Sequence, residues 1–223
     1  MTQLATTDQP GPNCDLCPRL ESFRNANRAD YPDFFNAPVP SFLEANAGIG
    51  GPPLLIVGLA PGLRGANRTG RPFTGDYAGD LLYATLSEFG FSEGSYQAEP
   101  FDGLRLTGCR ITNAVRCVPP QNAPTSAEVN TCRRYLIGEI AAMTNLKAIV
   151  ALGGVAHKSV VASLGLRQAA YPFAHAAMHG LPSDLVLADS YHCSRYNTNT
   201  GRLTPDMFRA VFAQVRQHLD TVA

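Results

Sequence analysis

The chain has 223 residues, of which 45% are apolar, and a formal net charge of zero. This length and apolar content predict one domain over residues 1–223, in which residues 1–50 form a loop-rich wrap. The N-terminus lacks the basic and apolar regions of a signal peptide, and no apolar run approaches the ~20 residues of a membrane helix. We therefore expect a soluble, cytoplasmic protein with no membrane partner and no obligate protein partner.

The basic residues are unevenly distributed. The chain has 16 arginines but only two lysines, and the planar guanidinium fork suits phosphate. Residues 61–75 hold three arginines and no acidic residue, while residues 105–134 hold five arginines and one glutamate. Basic segments in a neutral chain favour a polyanion as partner, although solvated surface arginines would produce the same pattern.

Apolar runs typical of buried strands alternate with helical periodicity along the chain. Strands are predicted at residues 53–60, 109–117, 147–154 and 184–192. Helices are predicted near 16–26, at 75–91, at 126–143, from the end of the third strand to about residue 164, and at 204–219. The helix at 126–143 begins with a capping-box spacing of Thr125 and Glu128. This alternation predicts a three-layer α/β/α fold with a central four-stranded, mainly parallel sheet. Ligands of such folds bind at the carboxyl ends of the strands.

The cysteines indicate a metal site. Cys14 and Cys17 form a C-x-x-C pair, which in a cytosolic chain favours metal binding or redox chemistry over a disulfide. The pair precedes every predicted strand, whereas a thioredoxin-like motif lies between a strand and a helix. Cys117, at the end of the second strand, and Cys132, in the following helix, are suited to complete a four-thiolate site. Their spacing is compatible with zinc and with an iron–sulfur cluster alike.

The loop after the first predicted strand, GLAPGLRGANRTGRPFTGD, has neither a P-loop ending nor a G-x-G-x-x-G pattern, which disfavours nucleotide hydrolysis. It does carry Arg64 and Arg68 for phosphates, the aromatic Phe73, and Asp76 at the start of a helix. A helix N-cap role for Asp76 and a core role for Phe73 explain these residues equally well. At the edge of a sheet, the structural and functional roles can coexist.

The segment after the fourth predicted strand is rich in polar residues, in the order DSYHCSRYNTNTGRLT. His192 ends that strand at the expected ligand edge, which favours a functional role. Cys193 follows it on the strand and should point to the opposite face as a buried thiol. The polar cluster with Arg195 and Arg202 resembles a loop that grips DNA.

Five motifs together resemble the uracil-DNA glycosylase superfamily, most closely its family 5, the broad-specificity iron–sulfur enzymes of bacteria and archaea. The motifs are CDLCPRL at 14–20, GLAPG at 58–62, NRTGRPFTGD at 67–76, RCVPPQN at 116–122 and SYHCSRYNTNTGRLT at 190–204. They span nearly the whole chain.

The resemblance implies that the protein removes uracil and other deaminated bases, such as hypoxanthine, from DNA. It implies catalytic roles for Asp76 and His192. It implies a structural [4Fe–4S] cluster on Cys14, Cys17, Cys117 and Cys132, and base contacts from Phe73, Asn113, Asn122 and Asn197. Asn113 departs from the alanine that family 5 enzymes can carry here, and an amide can pair with the Watson–Crick edge of uracil. The width of the substrate range stays open at this point.

These residues suit the chemistry of base removal. The nucleotide must leave the stack, and the arginines expected to grip its phosphates are Arg64, Arg68, Arg195 and Arg202. An ionised Asp76, favoured by a helix N-terminus, would stabilise the sugar cation and orient water, while His192 would stabilise the departing base anion. Since both lysines lie on predicted regular elements, no amine is expected at the site, and we predict a monofunctional enzyme that leaves an abasic site.

Two other classes of function fit parts of the sequence. One is a non-catalytic DNA-binding module whose metal site merely folds the N-terminal wrap. The other is an iron–sulfur hydrolase that acts on free nucleotides, which the arginine-rich loops would serve less well.

Overall fold

The computed structural model describes residues 9–45 and 48–222. The strands are β1 (Leu54–Gly58), β2 (Ser92–Glu93), β3 (Arg105–Leu106), β4 (Cys109–Asn113), β5 (Ala148–Leu152), β6 (Met178–Gly180) and β7 (Val186–Ser190). The helices are α1 (Pro18–Asp30), α2 (Ala66–Thr69), α3 (Tyr77–Glu88), α4 (Ser126–Ala142), α5 (Gly154–Ser163), α6 (Arg195–Asn199) and α7 (Pro205–Thr221). No helix in this part of the chain is long and apolar enough to cross a membrane.

The central sheet has the strand order β4-β1-β5-β7-β6. The first four strands in this order run parallel, as the sequence predicts. Both faces of β1 and β5 are buried, because successive side chains of a strand point to opposite faces and helices cover both of them. The carboxyl ends of the four parallel strands therefore meet at one edge of the sheet.

Helices cover the two faces of the sheet with separate apolar clusters. On one face, Ile56 packs with residues of α3 and α7 such as Leu82 and Phe212. On the other face, Val57 packs with residues of α4 and α5 such as Val160. The predicted three-layer α/β/α arrangement is confirmed.

The sheet has one strand more than the four predicted. β6 pairs antiparallel with the edge of β7. Its three residues are largely exposed and include a glycine, so they give no apolar run that would mark a strand in the sequence. The short hairpin of β2 and β3 escapes prediction for the same reason.

The fourth parallel strand is shorter than predicted, which changes the placement of two residues. β7 ends at Ser190, so His192 and Cys193 follow the strand, and the expectation that they alternate along it is wrong. Cys193 is nevertheless buried, and its thiol donates to the carbonyl oxygen of Ala78 over 3.4 Å. The turn after β7, and not strand alternation, separates the two side chains.

Helix α1 fixes the N-terminal segment against the sheet. Leu20 of α1 packs with Val115 and Tyr135 in a third apolar cluster. Arg19 binds Glu128 through two hydrogen bonds of 2.7 and 2.8 Å, and Glu128 also forms the predicted capping box at the start of α4. These contacts bring the first two cysteines beside α4.

Candidate active site and cysteine centre

A large cavity of about 820 Å³ opens at the carboxyl ends of the parallel strands. Loops after β1, β5 and β7 form its walls, as expected for this fold class. The predicted site residues that line it are Arg64, Asp76, Asn122, His192, Arg195, Asn197 and Arg202. Asp76 and His192, which are far apart in the sequence, thus face the same cavity.

Asp76 is the N-cap of α3. Its carboxylate accepts a hydrogen bond from the Ala78 amide over 3.2 Å, so the structural role weighed from the sequence applies together with its position in the cavity. The carboxylate lies so close to Gly65 that any side chain there would collide with it. Burial raises the pKa of Asp76, and backbone hydrogen bonds from Ala78 and Gly79 partly oppose this effect. The group is desolvated yet held at the positive end of a helix.

His192 lies in the turn after β7, and burial lowers its pKa to about 4. The imidazole is therefore neutral near pH 7. Its Nδ1 is buried and has no hydrogen-bond partner among the described residues. The side-chain amide of Asn197 donates to the His192 carbonyl over 2.8 Å, so Asn197 holds the backbone of the turn.

Phe73 is buried and lies beside His192, with ring centroids 5.8 Å apart and planes at 26°. Its backbone has a positive φ of 53°, a conformation that is strained for a bulky residue. The hydroxyl of Tyr96 donates to the Phe73 carbonyl and accepts from the Gly75 amide, over 3.1 and 3.2 Å. Tyr96 thereby fixes the strained turn that carries the ring.

Asn113 ends β4 opposite Gly58 of β1. A side chain at Gly58 would collide with the Asn113 amide and with the Phe73 ring. Glycine at this position thus allows the amide and the aromatic ring to meet at the ends of two neighbouring strands. Asn113 and Phe73 are buried and lie outside the wall of the large cavity, but the contact between Phe73 and His192 connects them to it.

Asn122 reaches the cavity from the loop after β4. It is exposed, its φ is 55°, and it follows Gln121 with φ of 56°. A carbon added at Gly62 would lie 3.0 Å from Asp76 Oδ2 and 4.0 Å from Asn122 Oδ1. The two side chains therefore converge on the same glycine.

Three of the four predicted DNA-binding arginines are exposed at the cavity. Arg195 lies over the Tyr77 ring at 5.4 Å and Arg202 over the Tyr191 ring at 4.6 Å, and Arg64 lies on the β1 side of the same wall. Arg68 differs, because it does not line the cavity and forms an ion pair with Glu99 at 3.1 Å. Its contact with DNA stays a prediction.

The aromatic part of the cavity wall was not predicted from the sequence. Four aromatic residues contribute to that wall: Tyr77, Phe173, Tyr191 and Tyr196. The three tyrosines are sequence neighbours of predicted site residues, so their positions in the sequence could have revealed them. Phe173 comes from the long connection between α5 and β6, which carries no motif.

The four predicted cysteines, Cys14, Cys17, Cys117 and Cys132, line a second, small cavity of about 20 Å³. Two of the four sulfurs each accept a hydrogen bond from an N–H donor. Nη1 of Arg24 donates to Cys117 Sγ over 3.6 Å, and the Arg116 amide donates to Cys132 Sγ over 3.4 Å. Such donors stabilise thiolates, the form in which cysteine binds metal.

The four cysteines are suited to hold a metal centre, which can be a single ion or a cluster. In a tetrahedral zinc site with Zn–S distances of about 2.3 Å, neighbouring sulfurs lie about 3.8 Å apart. Among the described residues, the only group of three or more potential ligand atoms that all lie within 4.8 Å of one another belongs to His157, His179 and Asp189. The four cysteines do not form such a group, and they are compatible with an iron–sulfur cluster.

The group of His157, His179 and Asp189 joins α5, β6 and β7 and was not predicted from the sequence. Asp189 accepts from His157 Nδ1 at 2.7 Å and from His179 Nε2 at 3.1 Å. His157 Nε2 lies 2.8 Å from the Tyr171 carbonyl oxygen. Both ring nitrogens of His157 face oxygen acceptors, an arrangement that favours the cationic ring beside the buried carboxylate and raises the pKa of His157.

Comparison with known proteins decides the family. The family model of the uracil DNA glycosylase superfamily matches residues 47–216. The chain belongs to this superfamily. The resemblance found in its motifs is confirmed, and with it the class of DNA glycosylases.

Two groups within the superfamily are similar to the chain. The type-5 uracil-DNA glycosylase of Thermus thermophilus is 44% identical over 211 residues, which cover 92% of this chain and 93% of that protein. The type-5 enzyme of Mycobacterium bovis is 41% identical over 92% of this chain and 77% of its own. A type-4 uracil-DNA glycosylase of Pyrobaculum aerophilum is 34% identical over 70% of this chain and 63% of its own.

Proposed function

We propose that this uracil-DNA glycosylase superfamily member hydrolyses the N-glycosidic bond of uracil in DNA, releases the free base and leaves an abasic site. The observation that carries the proposal is that Asp76 and His192 face one cavity at the carboxyl edge of the sheet. Asp76 contributes a carboxylate oxygen that can carry a negative charge, and His192 contributes a neutral imidazole.

The reaction needs two opposite charges to be stabilised at the ends of one bond. As the bond between C1′ and the base nitrogen breaks, its electron pair leaves with the base and C1′ becomes positive. Ionised Asp76 stabilises the sugar cation and orients the water whose oxygen bonds to C1′, and the water's proton passes to the carboxylate. His192, a neutral donor, stabilises the anionic base.

The extruded base is held by the buried groups beside His192. Phe73 supplies a ring face for stacking, and Asn113 supplies both an amide donor and an acceptor for the Watson–Crick edge of uracil. Asn122 approaches from the Asp76 side, and Asn197 acts through the backbone of His192. The size of the adjoining cavity supports hypoxanthine as a second substrate.

DNA is gripped by guanidinium groups around the cavity. Arg64, Arg195 and Arg202 contact phosphates on either side of the extruded nucleotide, and Arg68 supports the loop after β1 and contacts the backbone farther out. With neither lysine among the cavity residues, the proposed enzyme has no amine for strand cleavage and is monofunctional.

We also propose a [4Fe–4S] cluster on Cys14, Cys17, Cys117 and Cys132. When bound, the cluster would cross-link α1 to α4 and to the segment after β4. The reaction needs no redox step, so the role is structural. On this proposal residues 1–223 form one domain that acts on damaged DNA in the cytoplasm.

Base release from synthetic duplexes tests the proposal. Wild-type protein is expected to release free uracil from a uracil-containing duplex, to leave a strand that alkali cleaves, and to leave an undamaged duplex intact. A duplex with hypoxanthine tests the wider substrate range separately. Tight binding to uracil-containing DNA without any base release would indicate a non-catalytic DNA-binding module instead.

A further inference from the structure

The cysteine cavity contains a buried positive charge. Arg24 of α1 lines this cavity with Cys14 and Cys117, and only 2% of its surface is exposed. Nη1 donates to Cys117 Sγ over 3.6 Å and Nη2 to the Cys14 carbonyl over 2.8 Å. Nε is also buried, and it has no hydrogen-bond partner within the described residues.

The other deeply buried arginines have carboxylate partners. Arg116 binds Glu139 at 2.6 Å, and Arg71 binds Asp102 at 2.8 Å. Arg24 has no carboxylate within ion-pair distance among residues 9–45 and 48–222. A buried charge without a counter-charge is strongly unfavourable, so the missing partner of Arg24 should be an anion in the cavity itself.

We propose that Arg24 is a cofactor-binding residue, whose guanidinium supplies the counter-charge and the hydrogen bonds for the anionic cluster on the four cysteines. The inference rests on the iron–sulfur cluster proposed above. A cluster held by four thiolates carries a net negative charge, and hydrogen bonds to its sulfurs set its stability and its reduction potential. Arginine suits this place because two different nitrogens of its planar fork donate to a thiolate and to a carbonyl oxygen, whereas a lysine ammonium offers one compact point charge.

The matched control is Arg28, one turn farther along α1. Its guanidinium donates to the carbonyl oxygens of Pro12 and Asn36, so it also anchors the N-terminal segment, but it does not line the cysteine cavity. The variants are Arg24→Gln, Arg24→Lys and Arg28→Gln, purified without oxygen. The measurements are iron and sulfide content, the rate at which a chelator bleaches the visible absorbance, and the reduction potential.

Arg24→Gln should lose the cluster roughly tenfold faster or more. Its reduction potential should fall, because removal of a positive charge disfavours the more negative reduced cluster. Arg24→Lys should bleach faster than wild type with a smaller drop in potential, and Arg28→Gln should match wild type. If Arg24→Gln fails to fold, the bleaching rate and the reduction potential of Arg24→Lys alone test the proposal.

Two failures are distinguishable. Wild-type protein that contains zinc, or no iron and sulfide, overturns the cluster proposal and with it the role of Arg24. Wild-type protein that holds the cluster, with bleaching rate and potential unchanged in the Arg24 variants, overturns only the inference about Arg24.

Discussion

Single residues at the site stabilise the fold and also face the proposed active-site cavity. Asp76 caps α3 and faces the large cavity; its position after a Gly-rich loop made both roles visible in the sequence. Tyr96 was not predictable, since it contacts Phe73 from a loop 23 positions away, and nothing in a loop sequence specifies such a contact.

The pKa values of the two central residues predict the pH dependence of the rate. The pKa of His192 is lowered to about 4, so the ring stays neutral from pH 6 to pH 8 and should give no inflection near its ordinary 6.5. Burial raises the pKa of Asp76, so the rate should fall on the acid side as this carboxylate takes up a proton. Single-turnover rates between pH 4.5 and 9 check this, and an inflection near 6.5 that vanishes in His192→Ala would refute it.

Removal of the Tyr96 hydroxyl tests its role as a positioning residue. Tyr96→Phe leaves the Phe73 carbonyl and the Gly75 amide without this partner, so the strained turn loosens. Because Tyr96 does not line the cavity, kcat should fall roughly tenfold while KM for DNA stays nearly constant. Tyr31→Phe is the control, since that ring stacks on Phe34 instead. A change in KM with unchanged kcat would contradict the assignment.

At the scale of elements, regular apolar patterns were predictable and long-range polar contacts were not. The four parallel strands follow from their apolar runs, and the start of α4 follows from Thr125 and Glu128. β6 carries no such run, so its place at the sheet edge depends on pairing with β7. The ion pair of His157 and Asp189 joins α5 to β7, and no local pattern reveals it.

This ion pair predicts a pH-dependent contribution to stability. Burial opposes the charged form of His157, but the hydrogen bond and charge of Asp189 outweigh it and raise the pKa. A group whose pKa is raised by folding stabilises the folded protein fully at a pH below its unfolded pKa, which is near 6.5 for histidine. This contribution is lost as the pH rises through the pKa of the folded protein. His157→Gln should therefore lower stability where the pair is charged, by roughly 1.5–3 kcal/mol, because His179 still donates to Asp189.

Urea unfolding of wild type and His157→Gln at pH 6 and pH 9 measures this contribution. The difference between the two proteins should be larger at pH 6. A difference that does not change with pH would mean that His157 is not charged in the folded protein.

At the scale of the whole molecule, the motifs identified the family and most of the groups that converge in space. The C-x-x-C pair and two distant cysteines face one cavity, and Asp76 and His192 face another. Arg24 was not predicted, because burial of a charge beside the cysteines is a property of the packed chain. The aromatic wall around Phe173 is a similar case, since it forms only when the α5–β6 connection folds back on the cavity.

In the proposed reaction, Asp76 acts on the sugar and is not merely a helix cap. The most direct test is the single-turnover rate of uracil release by Asp76→Asn, with DNA affinity measured in parallel. An asparagine still caps α3, and Asp80→Asn is the control, since Asp80 is exposed on the first turn of the same helix. Asp76→Asn is expected to slow release by roughly a hundredfold or more with DNA affinity retained, while Asp80→Asn should match wild type. Release by Asp76→Asn at the wild-type rate would contradict this role of Asp76.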